Sequence, residues 1–194
     1  MAITTTALDA INSPPTPVYL YNKAFSIQAK ANMTSYPRAS IALPAIRHNL
    51  ALARTCAPGA KIMAIIKADA YGHGLVAVAR ALADADGLAV ARMDEARILR
   101  EAGISQRILL LGSNLSAQEF EFCANRRIDV TLHSLAMVEQ LTRFKLSTPV
   151  NAWLKIDTGM HRLGIYPSQY KQAMELFRKS QNSNISLLLT WFIV

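Results

Sequence analysis

The stretch Ile62-Met63-Ala64-Ile65-Ile66-Lys67 is an apolar run of strand length that ends on a lysine, and Ala68-Asp69-Ala70-Tyr71-Gly72-His73-Gly74 follows it before a helical pattern opens at Leu75-Val76. This reads as strand, loop and helix. An amine at the mouth of a buried strand sheds part of its hydration, which favours the neutral form and makes it a nucleophile or a base, as Schiff-base chemistry requires. The plainer alternative is that Lys67 caps the strand and carries its charge out to water. A second group of candidates lies in Trp153-Leu154-Lys155-Ile156-Asp157-Thr158-Gly159-Met160-His161-Arg162-Leu163-Gly164. Here Arg162 offers a permanently charged fork that binds two oxygens of a carboxylate or phosphate at once. Taken alone, Lys155 and Arg162 also fit ordinary surface charges.

The elements that must position these groups alternate along the chain. The reading is a strand over Arg38–Leu43 and a helix opened by Pro44 with Ile46, Leu50 and Ala53 on one face. Five pairs follow: strand Lys61–Ile66 with helix Leu75–Ala83, strand Gly87–Ala91 with helix Asp94–Ala102, strand Arg107–Leu111 with helix Ser116–Asn125, strand Ile128–Leu132 with helix Ser134–Phe144, and strand Val150–Ile156 with helix Pro167–Lys179. A last strand covers Ile185–Thr190. Ser116 with Glu119 three residues on forms a capping box, and Ser168 is expected to cap its own helix. Alternation at this spacing means parallel strands joined by right-handed crossovers, in either an α/β barrel or an open doubly wound sheet.

Composition bounds the rest. The 194 residues, 52% hydrophobic and 18% charged, suit a globular domain with its own core. The formal charge of +8 is spread over predicted helices (Arg80, Arg92, Arg97, Arg100, Arg107, Arg143) rather than gathered into a stripe, so no nucleic-acid surface is expected. No apolar stretch approaches the length of a membrane helix, and the opening residues lack the pattern of a secretory signal, so a cytoplasmic protein is expected. Cys56 and Cys123 lie on separate predicted helices without metal-type spacing, which implies buried free thiols and no metal site. Residues 1–37, with Thr4-Thr5-Thr6 and Ser13-Pro14-Pro15-Thr16-Pro17, show no sustained period and read as a flexible extension ahead of one domain over 38–194.

Lys67-Ala68-Asp69-Ala70-Tyr71-Gly72-His73-Gly74 resembles the cofactor-lysine motif of the alanine racemases, pyridoxal-phosphate enzymes, and Trp153–Gly164 resembles that family's other strong signature, in family order. The resemblance runs from about Arg38 to the last residues. It implies an incomplete (β/α)8 TIM-type barrel with about six of eight strands, without the family's C-terminal β domain, in which the Arg38–Leu43 strand would find its partners. The cofactor implied is pyridoxal 5'-phosphate, held covalently by Lys67, which also serves as base on one face of the substrate. By the same resemblance Tyr71 binds the cofactor phosphate, Arg162 lies near the cofactor and the substrate carboxylate, Lys155 is a possible carbamylated lysine that holds Arg162, and His73 is structural. The implied reaction is interconversion of L- and D-alanine for cell-wall precursors, carried out by a homodimer.

The pattern then departs from the family. Trp191 stands where the family has a histidine, and an indole donates but does not accept a hydrogen bond. The later strands, the β domain and the second base across the dimer interface are not matched by any residue here. The resemblance therefore implies a truncated, impaired chain, with Ser186–Val194 as an aggregation-prone edge. A broad-specificity amino-acid racemase fragment and a non-catalytic module that binds the cofactor stand as alternatives.

Overall fold

The computed structural model describes residues 39–112, 114–180 and 183–190, the last of these as backbone only. Six strands form one sheet in the order β1-β2-β3-β4-β5-β6, every neighbouring pair parallel. They are β1 Met63–Ile65, β2 Gly87–Val90, β3 Ile108–Leu110, β4 Ile128–Leu132, β5 Val150–Ile156 and β6 Ser183–Thr190. The helices are α1 Leu43–Cys56, α2 Lys67–Gly72, α3 Leu75–Ala81, α4 Met93–Glu101, α5 Ala117–Asn125, α6 Leu135–Arg143 and α7 Tyr170–Lys179, the last preceded by a 3-10 turn at Pro167–Gln169. Strand order equals chain order, so each crossover steps to the adjacent strand, as in the wall of a (β/α) barrel. The six match the six strands expected after Arg38–Leu43.

Strands β1 to β5 are buried on both faces, which is why they read as nearly continuous apolar runs. The period of two sorts them. Ala64, Leu88, Val90, Ile108, Val130 and Leu154 face outward into the main core with the helices. Ile65, Ala89, Leu109 and Trp153 form a smaller cluster on the inner face. The inner face is polar at its lower end, where Asp129, 2% exposed, accepts from Arg107 Nε at 2.6 Å, Trp153 Nε1 at 2.8 Å and Asn151 Nδ2 at 3.2 Å. Three donors on one carboxylate supply the pairing that a buried charge requires.

Several expectations need correction. No strand forms at the start of the domain: residues 39–42 are irregular and Leu43 already begins α1, with Pro44 in its first turn as expected. A strand exists only against a neighbour, and the sheet places none there. Ser168 does not cap α7. It lies inside the 3-10 turn, and Gln169 Oε1 instead accepts from Tyr166 N–H at 2.9 Å. Cys123 is buried, its thiol pushed up to about 12 by desolvation, but Cys56 is exposed because it ends α1 one turn beyond Ala53, the last buried position of that helix. By contrast, Ser116 and Glu119 close the capping box: Ser116 Oγ accepts from Glu119 N–H at 3.3 Å and Glu119 Oε2 from Ser116 N–H at 2.8 Å. Residues 1–38, Trp191 and the side chains of the Ser186–Val194 run lie outside the described residues.

Candidate active site

In a parallel sheet every strand end of one kind lies on the same edge, and in barrels the C-terminal edge carries the chemistry. Lys67 follows β1 and Lys155 lies at the end of β5, each two residues beyond a member of the inner-face cluster, Ile65 and Trp153 respectively. One edge therefore carries both signatures.

Lys67 is half-buried and opens α2, a turn of left-handed helix rather than a loose loop. Ala68, Asp69, Ala70 and Tyr71 have φ of 53, 53, 53 and 56°, a conformation that costs an L-residue about 1–2 kcal/mol each. Such a turn persists only if its surroundings over-determine it. Asp69 is its hub. Its N–H donates to Glu95 Oε1 at 3.1 Å, its Oδ1 accepts from Leu75 N–H at 2.7 Å, and its carbonyl accepts from Gly74 N–H at 3.0 Å. His73 fixes the far end through Nδ1, 2.9 Å from Ala70 O and 3.1 Å from Tyr71 O. The left-handed winding turns Tyr71 outward to 53% exposure, and the burial that remains raises its phenol pKa.

The second signature is held differently. Lys155 is 7% exposed and donates from Nζ to Leu163 O at 2.6 Å. Desolvation, first, and the neighbouring Arg162 charge lower its pKa, with Asp157 opposing them. Arg162 itself is exposed, close enough to Lys155 for the two charges to repel. Asp157 anchors the loop between them: its Oδ1 accepts from Gly159 N–H at 3.1 Å and His161 N–H at 3.0 Å, and these bonds hold its carboxyl below the usual range. The chain then returns to the sheet, Asp157 N–H donating to Ile165 O and Ile165 N–H to Lys155 O, both at 2.9 Å. Gly164 is required at that return, since with φ of +137° a Cβ there would stand 2.6 Å from Asp157 N.

Two groups were not singled out from the sequence. Glu95 is 7% exposed on α4 and accepts three backbone N–H groups, from Asp69, Ala91 and Arg92. Its place three residues after the N-cap Arg92 was the available signal, but that signal points only to a cap. His133 follows β4 and is half-buried, its pKa lowered by desolvation and by the Lys155 charge. A histidine one residue past a strand end gives no such indication.

The donor set at this edge is two amines, a phenol and a guanidinium, and the nearby carboxylate of Asp157 is occupied by its own loop. That chemistry fits an aldehyde-bearing ligand with anionic oxygens, of which pyridoxal phosphate is an instance.

Residues 41–194 match the model of the alanine racemase N-terminal domain. The chain is 41% identical to the alanine racemase of Shewanella amazonensis, a match that covers 79% of this chain and 43% of that relative. It is 44% identical to that of Shewanella baltica, covering 71% and 38%. Among solved structures, the biosynthetic alanine racemase of Pseudomonas aeruginosa superposes with a TM-score of 0.72 at 40% identity, over 78% of this chain and 42% of that one. The alanine racemase of Bacillus anthracis, solved with bound L-Ala-P, gives a TM-score of 0.72 at 29% identity, over 78% and 40%. The chain thus spans less than half the length of these relatives. Sheet order, both signatures and the family model lead to one assignment: the chain belongs to the alanine racemase family and corresponds to part of its N-terminal barrel.

Proposed function

We propose that the edge bearing Lys67, Lys155 and Arg162 is the lysine side of a pyridoxal-phosphate site, and that the protein to which this sequence corresponds interconverts L- and D-alanine. The observation that carries this is the placement of both signatures at the C-terminal edge of one parallel sheet, each next in line after the same inner-face cluster. Lys67 would hold the cofactor through its amine, with Tyr71 donating to a phosphate oxygen and Arg162 lying near the cofactor and the substrate carboxylate. When bound, the cofactor supplies an electron sink for the charge left at the substrate α-carbon. Once the amino group of the substrate has displaced it from the cofactor, the Lys67 amine would take the α-proton on its own face and return it. The opposite face needs a second acid–base group, which we assign to the part of the longer relatives that this chain does not match, contributed across a dimer interface.

The lowered pKa of Lys155 supports its reading as a carbamylated lysine. Addition to carbon dioxide requires the neutral amine, forms an N–C bond and releases one proton. The product carries a negative charge where Arg162 now meets a positive one. The gain is a fixed guanidinium.

The test is to incubate the chain with pyridoxal 5'-phosphate, trap with borohydride, map the modified peptide, and follow D-alanine formed from L-alanine. Labelling concentrated on Lys67 and lost in Lys67→Ala is the expected result. Labelling spread evenly over the exposed lysines would overturn the site. Labelling at Lys67 with no turnover would limit this chain to holding the cofactor.

A further inference from the structure

The left-handed turn that presents Lys67 is strained, and its most buried polar partner belongs to a different element. Glu95 sits in α4, and its Oε1 accepts from Asp69 N–H, two residues after Lys67, at 3.1 Å. Its Oε2 accepts from Ala91 N–H and Arg92 N–H, both at 3.1 Å. The carboxylate therefore ties the end of β1 to the end of β2, across 26 residues of sequence. Capping α4 would use only the Arg92 contact. The bond to Asp69 lies outside α4, and it fixes a residue whose N–H, carbonyl and carboxylate all hold the turn.

We propose that Glu95 is a positioning residue for Lys67, holding the left-handed turn so that the amine is aimed across the strand ends. Its consequence for cofactor binding rests on the reading of Lys67 given above, while its effect on the turn stands apart from that reading. A carboxylate suits the task because two oxygens with four lone-pair directions meet three N–H donors at once. Glutamine keeps the shape but has a single acceptor oxygen, and the two donors Ala91 and Arg92 hold it against the one from Asp69, so the Asp69 bond is the one lost.

Hydrogen exchange on the native chain gives a test that needs no variant. The Asp69, Ala91 and Arg92 amides are expected to open together, with protection factors within about threefold of one another. Asp69 exchanging tenfold or more faster than Arg92 would overturn the proposal. In Glu95→Gln, Asp69 protection is expected to fall about 30-fold, the loss of one charge-assisted buried bond, with the Leu88 and Ala89 amides moving less than about threefold. The share of borohydride-trapped pyridoxyl group on Lys67 is expected to fall about tenfold in the same variant. Glu95→Asp, which retains both oxygens one methylene short, should lie between native and glutamine in both readouts.

Asp69 protection unchanged in Glu95→Gln, or Lys67 labelled at the native share after that protection is lost, would refute the positioning part. Should native Lys67 take no cofactor, the reading of the site fails instead, and the inference is decided by acetic anhydride. The acetylation rate of Lys67 relative to Lys61 should change at least threefold in Glu95→Gln, and an unchanged ratio would refute it.

Discussion

The two segments that carry the site reach the same sheet edge by opposite means. The Lys155–Ile165 segment is self-contained: Asp157 binds the N–H groups of its own loop, and the chain folds back to bond with the end of β5. The Lys67–Gly74 segment is wound against its intrinsic preference and is bonded to α4, well outside itself, through Glu95. The first is built from local turn chemistry and a close backbone approach. The second stores backbone strain that the packed fold offsets, a pattern associated with functional sites. A loop of the first kind is set by its own residues, whereas a turn of the second kind forms only after two strands have paired.

The contrast yields an ordered set of expected outcomes. Gly164→Ala should be the most damaging, because its Cβ meets backbone at 2.6 Å at a φ of +137°; a loss of about 3 kcal/mol in denaturant unfolding is expected. The same change at Gly72, where nothing lies within 4 Å and only the φ of +80° is unfavourable, should cost about 1 kcal/mol. Equal losses at the two positions would show that the close backbone approach at Gly164 adds nothing to the cost. Asp69→Ala removes the acceptor for Leu75 N–H and should cost about 1 kcal/mol, seen as faster exchange in the first turn of α3 with the sheet amides unaffected.

Acid should separate the segments next. The Asp157 carboxyl is held below its ordinary value of 3.8 by the His161 and Gly159 N–H groups, so its contribution is complete above that value and is lost as pH falls through the depressed pKa. Protection factors of Gly159 and His161 should fall across that window. Constant protection there would show that Asp157 does not hold the loop. The smallest effect carries the clearest sign. Ala68→Gly should stabilise the chain by about 0.5 kcal/mol, since relief of the left-handed conformation outweighs the added backbone freedom. In a right-handed helix the same change destabilises by about 1 kcal/mol.

Much of this architecture is legible in the residues themselves. The five strand–helix pairs with the strand after them, the Ser116 capping box and the two signatures are local patterns, and local patterns survive in sequence. The strand expected over Arg38–Leu43 is not formed at residues 39–42, because an apolar run records only a tendency to pair and this sheet offers it no neighbour. Ser168 was misread because a cap depends on where the helix axis begins, and the 3-10 turn shifts that point by two residues.

The chain order of residue types thus determined the parallel sheet, the amine at the end of its first strand and the cationic pair at the end of its fifth, since each follows from periodicity and from the edge that parallel strands share. The tertiary structure alone decided the hand of the turn after Lys67, the burial that lowers the Lys155 pKa and the reach of Glu95 to Asp69. Each of these depends on contacts between residues far apart in sequence, which come into being only once neighbouring strands lie side by side and exclude water from between their ends.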